Sequence, residues 1–188
     1  MNAFQIILII LAVVLVIVII WFIATMNSLR RLKVKVQEAE SGIDVALTKR
    51  FDTLSKMVET VKGYTKHEAE TFEKVVKWRQ NMPDELTVEQ KEEFLEKMNS
   101  VQSEIDVAVE NYPDLKAEKV YTNLQQSIAD VEEHLQASRR MYNANVSRLN
   151  SRIVSFPTSL VAAKINMERQ PFFEAEPSKR ADVEMDFS

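Results

Sequence analysis

Apolar and polar positions divide the chain into one unbroken apolar run and a longer part in which apolar residues recur at regular intervals. The apolar run is Phe4–Ala24, whose only polar side chain is Gln5 and which contains no charged residue. About 20 apolar residues in a helix cross the ~30 Å hydrocarbon core of a bilayer, and a helix satisfies its own backbone hydrogen bonds there. We therefore predict a transmembrane anchor over residues 1–25.

The residues beside the apolar run favour a retained anchor and predict its orientation. The run is longer than the apolar region of a signal peptide, no basic segment precedes it, and no small-residue cleavage site follows it. Four basic residues come next, Arg30, Arg31, Lys33 and Lys35, which we call the membrane-flanking cations. Because cytoplasmic flanks carry the excess of Lys and Arg, we expect an external N-terminus and a cytoplasmic body. These cations either set the orientation alone or also contact anionic headgroups.

The body, residues 26–168, has the period of amphipathic helices. No Pro or Gly interrupts the sequence between the apolar run and Gly42, so the membrane helix can continue out of the bilayer. Apolar residues three and four positions apart predict a first long helix over Ile43–Trp78. Its apolar positions are Ile43, Leu47, Phe51, Leu54, Met57, Val58, Val61, Tyr64, Phe72, Val75 and Val76. A helix of this length needs packing partners for its apolar face.

A second helix is predicted between two turn signals. The segment Met82–Asp84 contains a Pro that cannot continue a helix, and Thr87–Gln90 has the sequence of a capping box that opens the next one. The turn Asn111–Asp114 ends it. Its apolar positions are Phe94, Leu95, Met98, Val101, Ile105, Ala108, Val109 and Tyr112.

A third long helix is predicted from about Leu115 to Val154, where Pro157 stops it. Its apolar positions are Tyr121, Leu124, Ile128, Val131, Leu135, Tyr142, Val146, Leu149 and Ile153, with Ser138 and Asn145 on the same face. This spacing is close to the 3.5-residue repeat of coiled coils and left-handed bundles. A short fourth helix is predicted over Ser159–Met167, followed by a polar tail over residues 169–188.

The predicted fold class is all-α. In this prediction an N-terminal transmembrane helix continues into a long antiparallel up-and-down bundle of three long helices plus a short fourth. Short turns between long helices favour antiparallel neighbours, so the first helix leads away from the membrane, the second returns and the third leads away again. The second helix is the shortest of the three, so the fourth helix or another copy of the chain has to cover apolar surface of the other two.

Composition excludes several classes of function. A formal charge of −4 and a pI near 5.4 argue against a nucleic-acid binder. The chain has no Cys and two Gly, which excludes thiol chemistry and a Gly-rich phosphate loop. A metal site is not expected, because Tyr64 and Val131 stand where a di-metal Glu-x-x-His motif needs Glu before His67 and His134. We therefore predict no catalytic residue, no cofactor and no metal.

The remaining candidates are structural or interaction residues. Gly63 beside Tyr64 indicates the close approach of a neighbouring helix, and His67 with Glu68 is best explained by a core or solvated position. Arg50, near Asp52, would set helix register by facing a carboxylate of another helix, although such pairs are weak evidence for stability. The same role is considered for Arg139, Arg140, Tyr142 and Asn143. The alternative is a polar groove for an acidic peptide or a lipid headgroup. The aromatic pair Phe172 and Phe173 either folds back onto the bundle or docks on a partner.

Four ordered blocks of sequence resemble the LemA family. They are GIDVALTKRFDTLSKMVETVKGYTKHE from Gly42, the segment 112–125, SRRMYNANVSRLNSRIVSFPTSLVAA over Ser138–Ala163, and Pro171–Glu174. The family usually has Trp at Glu40, Pro at Ser55 and Asn at Glu118; the missing Pro implies a less kinked first helix, and the missing Trp implies a weaker contact near the membrane. The resemblance implies a bacterial single-pass membrane protein with a long helical bundle, and it transfers no catalytic residue.

These observations favour a non-enzymatic, membrane-anchored scaffold that self-associates or organises other envelope proteins. One alternative is an adaptor in envelope stress or membrane protein quality control. Another is a membrane-bound enzyme with a Glu/His/Arg site between helices, which would need a pocket with strongly shifted carboxylates. The expected partners are the lipid bilayer, a second copy of the chain and other membrane proteins, with no nucleic acid.

Overall fold

The computed structural model describes residues 2–62 and 86–173, and these residues are almost entirely helical. The helices are α1 (Ala3–Lys62), α2 (Val88–Glu110), α3 (Pro113–Lys116), α4 (Lys119–Val154) and α5 (Thr158–Lys164). No strand occurs within the two described segments. The all-α prediction is confirmed.

Contacts divide the chain into two compact units. The first unit comprises Met1–Ala39 and Tyr142–Pro171, and the second comprises Glu40–Met141 and Phe172–Ser188. The sequence-based division into residues 1–25, 26–168 and 169–188 follows composition instead of contacts, and it stays a prediction.

The predicted start of α2 is confirmed. Thr87 Oγ1 accepts a hydrogen bond from the backbone N–H of Gln90, and Gln90 Oε1 accepts one from the backbone N–H of Thr87. This reciprocal capping box satisfies two N–H groups that a helix start otherwise leaves without partners. The apolar face of α2 is buried as predicted, except that Tyr112, beyond the end of α2, is exposed.

The core of the second unit is built from the predicted apolar faces of three helices. On α1 the buried residues include Ile43, Leu47, Phe51, Leu54, Met57, Val58 and Val61; on α4 they include Tyr121, Ile128, Val131 and Leu135. The rings of Phe51 and Phe94 are stacked, with centroids 6.1 Å apart. Leu124 is only half-buried.

The direction of α2 differs from the prediction. Lys91 near the start of α2 contacts Glu40 and Asp44, while Asn99 and Gln102 further along α2 contact Arg50. Residue numbers on α2 therefore increase together with those of the α1 residues that they contact, so α2 runs in the same direction as α1. The prediction of a direct return was wrong because it assumed that these helices are joined by one short turn, which only antiparallel neighbours permit. The predicted residues of the first helix beyond Lys62 lie outside the described segments.

Helix α4 runs opposite to α1 and to α2 in the second unit. Ser138 approaches Gly42 and Glu132 contacts Arg50, so positions on α4 fall as those on α1 rise. Near the end of α2, Asp106 accepts a hydrogen bond from the Tyr121 hydroxyl near the start of α4. Earlier on α2, Asn99 contacts Arg50, which also contacts Glu132 further along α4. Helix α4 is therefore antiparallel to α2. The short connection through α3 agrees with the antiparallel pairing of α2 and α4.

The first unit packs the end of α4 and all of α5 against the middle of α1. Its buried residues are Thr25, Leu29, Val36 and Ala39 on α1, Tyr142, Val146, Leu149 and Asn150 on α4, and Val161 and Ala162 on α5. Asn150 Nδ2 donates to the Gln170 carbonyl, and Asn150 Oδ1 accepts from the Gln170 N–H. These two bonds hold residues after the predicted fourth helix against α4. That helix is present as α5, which begins one residue earlier and ends three residues earlier than predicted.

The apolar run lies in the first part of α1 and is not covered by protein. Its large side chains are exposed, from Phe4 at 73% to Ile23 at 47%, with Phe22 half-buried. Within the described residues this is one helix long and apolar enough to cross a membrane, and none of its most apolar window is buried.

Replacing Gly42 by Ala is expected to raise the free energy of unfolding by about 0.5–1 kcal/mol, because Gly costs about this much inside a helix. The added Cβ would lie 3.4 Å from Ser138 Oγ, which is an ordinary van der Waals contact. Urea unfolding of the detergent-solubilised full chain, followed by circular dichroism, measures the change. Gly42→Leu has a similar helix propensity to Ala but more bulk, and it should lose the gain. A loss of stability in Gly42→Ala would contradict the described spacing of α1 and α4.

Candidate functional site

Arg50 is the most connected buried cation of the second unit. It follows Leu47 by three residues and precedes Leu54 by four, so the helical period places it on the buried face of α1, where it is 4% exposed. Its Nη2 donates to Asn99 Oδ1 at 2.6 Å and to Gln102 Oε1 at 3.1 Å, both on α2.

A carboxylate of a third helix also belongs to this cluster. Arg50 Nη1 lies 3.0 Å from Glu132 Oε2 on α4. We call Arg50, Asn99, Gln102 and Glu132 the Arg50 cluster. Its planar guanidinium carries donors in a fixed geometry, so it joins α1 to both neighbours at one register. The expected contact of Arg50 with a carboxylate of another helix is present.

A groove of about 740 Å³ adjoins the Arg50 cluster. Its wall carries the carboxylates of Asp106, Glu110 and Glu132 and the guanidinium of Arg50. Three carboxylates against one guanidinium make the wall acidic, which disfavours the acidic peptide or anionic headgroup considered from sequence.

Tyr121 places a buried hydroxyl beside the groove. The hydroxyl donates to Asp106 Oδ1 at 3.3 Å and accepts from Gln125 Nε2 at 3.3 Å. Burial, together with the charge of Asp106, raises the pKa of Tyr121 to about 12. The phenol therefore stays protonated at neutral pH and acts as a hydrogen-bond donor.

Lys91 is a second buried cation, and it lies on the apolar face of α2. Its Nζ lies 2.8 Å from Glu40 Oε1 and 2.8 Å from Asp44 Oδ1 on α1. Burial alone lowers the pKa of Lys91, but hydrogen bonds to Asp44 and Glu40 and their charges outweigh it, so the pKa is raised. The resulting stabilisation is present below the unfolded pKa and is lost as pH rises through the folded pKa. Glu40, where the family usually has Trp, thus supplies an anion to this pair.

The aromatic pair near the end of the described chain is divided between two environments. Phe173 is 3% exposed and the Arg139 guanidinium lies 4.7 Å from its ring centroid, a cation–π contact. Phe172 is 47% exposed. Folding back, one of the two alternatives expected for this pair, therefore holds for Phe173 and not for Phe172.

The other candidate residues occupy different positions. Tyr142 is 1% exposed and its hydroxyl donates to the Pro171 carbonyl at 3.0 Å, while Asn143 is half-buried. Arg140 and Asp52 are exposed. Ser55, where the family usually has Pro, donates to the Phe51 carbonyl within an α1 that remains helical through this position. The membrane-flanking cations are all exposed on α1.

Four candidates, Gly63, Tyr64, His67 and Glu68, lie outside the described residues. Within residues 2–62 and 86–173 no group of three or more His, Asp or Glu is placed to hold a metal ion. The buried ion pairs of the second unit hold its helices together. The groove of this unit offers an acidic surface that can bind a cationic group.

Sequence reasoning missed four partners in these contacts. Lys91 falls three residues after Val88 and three before Phe94, which places a charged residue on the apolar face of the helix. This position was the signal that could have indicated a buried ion pair. Asn99, Gln102 and Glu132 flank buried positions, and their spacing alone does not tell which of them meets Arg50.

Comparison with known proteins gives two matches. The LemA family matches residues 39–187 of the chain. Protein LemA of Metamycoplasma hominis is 31% identical over 164 residues, which cover 87% of this chain and 75% of that protein. Both agree with the sequence resemblance.

Replacing Arg50 by Met is expected to lower the free energy of unfolding by about 1–3 kcal/mol, because Glu132 and the two amides lose a buried donor. The expected loss of unfolding free energy is smaller than for a fully buried ion pair, because the Glu132 side chain is 35% exposed. Urea unfolding of the full chain in detergent measures it. The exposed Lys49→Met on the same helix removes the same charge and should change stability by under about 0.5 kcal/mol.

A double-mutant cycle separates the pair from its surroundings. Arg50→Met with Glu132→Leu should recover part of the loss, giving a coupling energy of at least about 0.5 kcal/mol. Equal effects of Arg50→Met and Lys49→Met, or no coupling, would contradict the described contact.

Proposed function

The chain belongs to the LemA family, and from this premise we propose that it is a membrane-anchored helical scaffold without enzymatic activity. One observation carries the proposal. The same helix, α1, holds the uncovered apolar run at its start and core residues of the second unit, from Ile43 to Val61, further along. A protein built this way ties a helical surface to a membrane.

The proposed location is the bacterial cell membrane, crossed once. The N-terminus is external and the body is cytoplasmic, since the exposed membrane-flanking cations follow the apolar run. The body is a bundle with coiled-coil-like packing, in which α4 lies antiparallel to α1 and α2. This arrangement is supported by the contacts at Arg50 and at Tyr121.

Self-association, or the organisation of other membrane proteins, is the proposed use of this surface. It is supported by exposed apolar side chains on the body, among them Val45 at 67% and Met141 at 62%. The buried charges of Arg50 and Lys91 contact residues of their own unit, which fits a structural use. An adaptor that holds a membrane enzyme during envelope stress or protein quality control is a special case of this proposal.

The acidic groove beside Arg50 favours a second candidate, a membrane-bound enzyme with its site between helices. The carboxylates of Asp106, Glu110 and Glu132 on its wall would bind a cationic substrate. Ala129→Trp would fill this groove from its wall. If cells carrying this variant lose function as completely as cells lacking the protein, while the variant keeps its membrane location and self-association, the second candidate replaces the scaffold.

Cysteine cross-linking tests self-association, and the Cys-free chain makes each introduced thiol unique. Val45→Cys and Met141→Cys, expressed at native abundance in intact cells, should give dimers with a membrane-permeable bismaleimide. Leu47→Cys, whose side chain would be buried, is the matched control and should stay monomeric.

The same variants report orientation. A cytoplasmic body predicts that Val45→Cys resists a membrane-impermeant maleimide until the cells are opened. Monomer alone at every exposed position would contradict self-association, and labelling in intact cells would contradict the proposed orientation.

A further inference from the structure

The turn between α4 and α5 exposes three apolar side chains within seven residues. Val154 is 57%, Phe156 is 82% and Leu160 is 63% exposed, and Phe156 is the most exposed large apolar side chain of the described residues. We call Val154–Leu160 the apolar turn. The inward side chains of α5, Val161 and Ala162, are 1% exposed, so α5 is packed on its unit while the turn before it is bare.

Contacts within the first unit show where this turn lies along α1. Asn145 Nδ2 donates to the Lys35 carbonyl at 3.1 Å. Seven residues earlier on the continuous helix α4, Ser138 approaches Gly42, which lies seven residues later than Lys35 on the continuous helix α1. The two segments therefore run in opposite directions.

Counting from this contact places the apolar turn beside the end of the apolar run. Both helices rise about 1.5 Å per residue, so Ser155, ten residues after Asn145, is level with about Thr25, ten residues before Lys35. The apolar run ends at Ala24. Phe156 therefore lies at the level where α1 passes from apolar to polar sequence.

Part of the backbone of the turn is already hydrogen-bonded within the protein. Thr158 Oγ1 lies 2.5 Å from the Arg152 carbonyl and 2.8 Å from the Ser155 carbonyl. The Leu160 N–H donates to the Pro157 carbonyl, and the Ser159 N–H donates to the Ser155 carbonyl. Because these polar groups have partners, moving the turn out of water costs less than it would for a bare loop.

Charge around the turn complements an anionic surface. The first unit contains eight Lys or Arg and two Glu, a formal charge of +6, although the whole chain carries −4. Besides the membrane-flanking cations these are Arg148, Arg152, Lys164 and Arg169, and all eight are exposed. Basic residues near an anionic leaflet are attracted to its headgroups.

We propose that the apolar turn enters the headgroup region of the bilayer that α1 crosses, with Phe156 and Leu160 as its inserted side chains. This inference rests on the proposed membrane anchor and adds a second contact with the same leaflet. An exposed aromatic beside basic residues is the arrangement by which proteins bind the membrane interface. The turn fixes the rotation of α1 and the depth of the first unit at the surface, which a single helix leaves free.

Site-specific fluorescence of the full chain in vesicles of phosphatidylcholine and phosphatidylglycerol tests this contact. Phe156→Cys and Leu160→Cys are labelled with an environment-sensitive fluorophore, each variant keeping the other apolar side chain. Ala144→Cys, exposed on α4 twelve residues before Phe156, is the control in water, and Leu11→Cys in the apolar run reports the anchor. Nitroxide lipids with shallow or deep labels and aqueous iodide are the quenchers.

Labels at Phe156 and Leu160 should emit at shorter wavelength than the label at Ala144, be quenched most by the shallow nitroxide, and show a several-fold lower iodide quenching constant. If Leu11 is in lipid but Phe156 behaves as Ala144, the inference is overturned while the anchor stands. If Leu11 is itself in water, the proposed anchor fails and the inference with it. A Phe156 label shielded from iodide but not quenched by nitroxide lipid would mean that protein covers the turn, which also overturns the inference.

Discussion

The apolar run imposes the constraint on which the other features depend. Removing a large apolar side chain from water is worth about 1.5–3 kcal/mol, so some twenty of them amount to tens of kcal/mol. That exceeds the whole stability of an ordinary domain, about 5–15 kcal/mol. None of the most apolar window of this segment is buried in the described protein, and a bilayer is the environment that fits its length and composition. The same helix, α1, continues from this segment as far as Lys62.

Inside the second unit, buried charged residues determine the register in which the helices pack. Arg50 contacts residues of α2 and α4 together, and Lys91 contacts two carboxylates of α1. A shift of either helix by one turn would leave a buried cation without these partners, at a cost that apolar contacts alone would not impose. The apolar faces supply most of the driving force for packing, and the ion pairs select one register.

Local features were the most predictable from sequence. The capping box at Thr87 and the buried faces of α2 and α4 follow from residues three or four positions apart, so the sequence contains all the information they need. The direction of α2 was not predictable in this way, because it depends on how distant segments are connected. The partners of Arg50 and Lys91 were missed for the same reason, since periodicity tells which face is buried but not what lies opposite. Phe173 is buried against Arg139 while Phe172 is exposed, a difference that adjacency in sequence cannot reveal.

Hydrogen–deuterium exchange of the full chain in lipid nanodiscs, read by mass spectrometry, tests most directly whether the apolar run is in a bilayer. The backbone amides of Phe4–Ala24 should exchange more slowly than those of the packed helix α2, because no water reaches them. Without a bilayer, no surface of the described protein shields this segment from water, because its large side chains are exposed. Exchange of Phe4–Ala24 in nanodiscs as fast as that of an exposed helix would contradict the membrane anchor, and with it the scaffold built upon it.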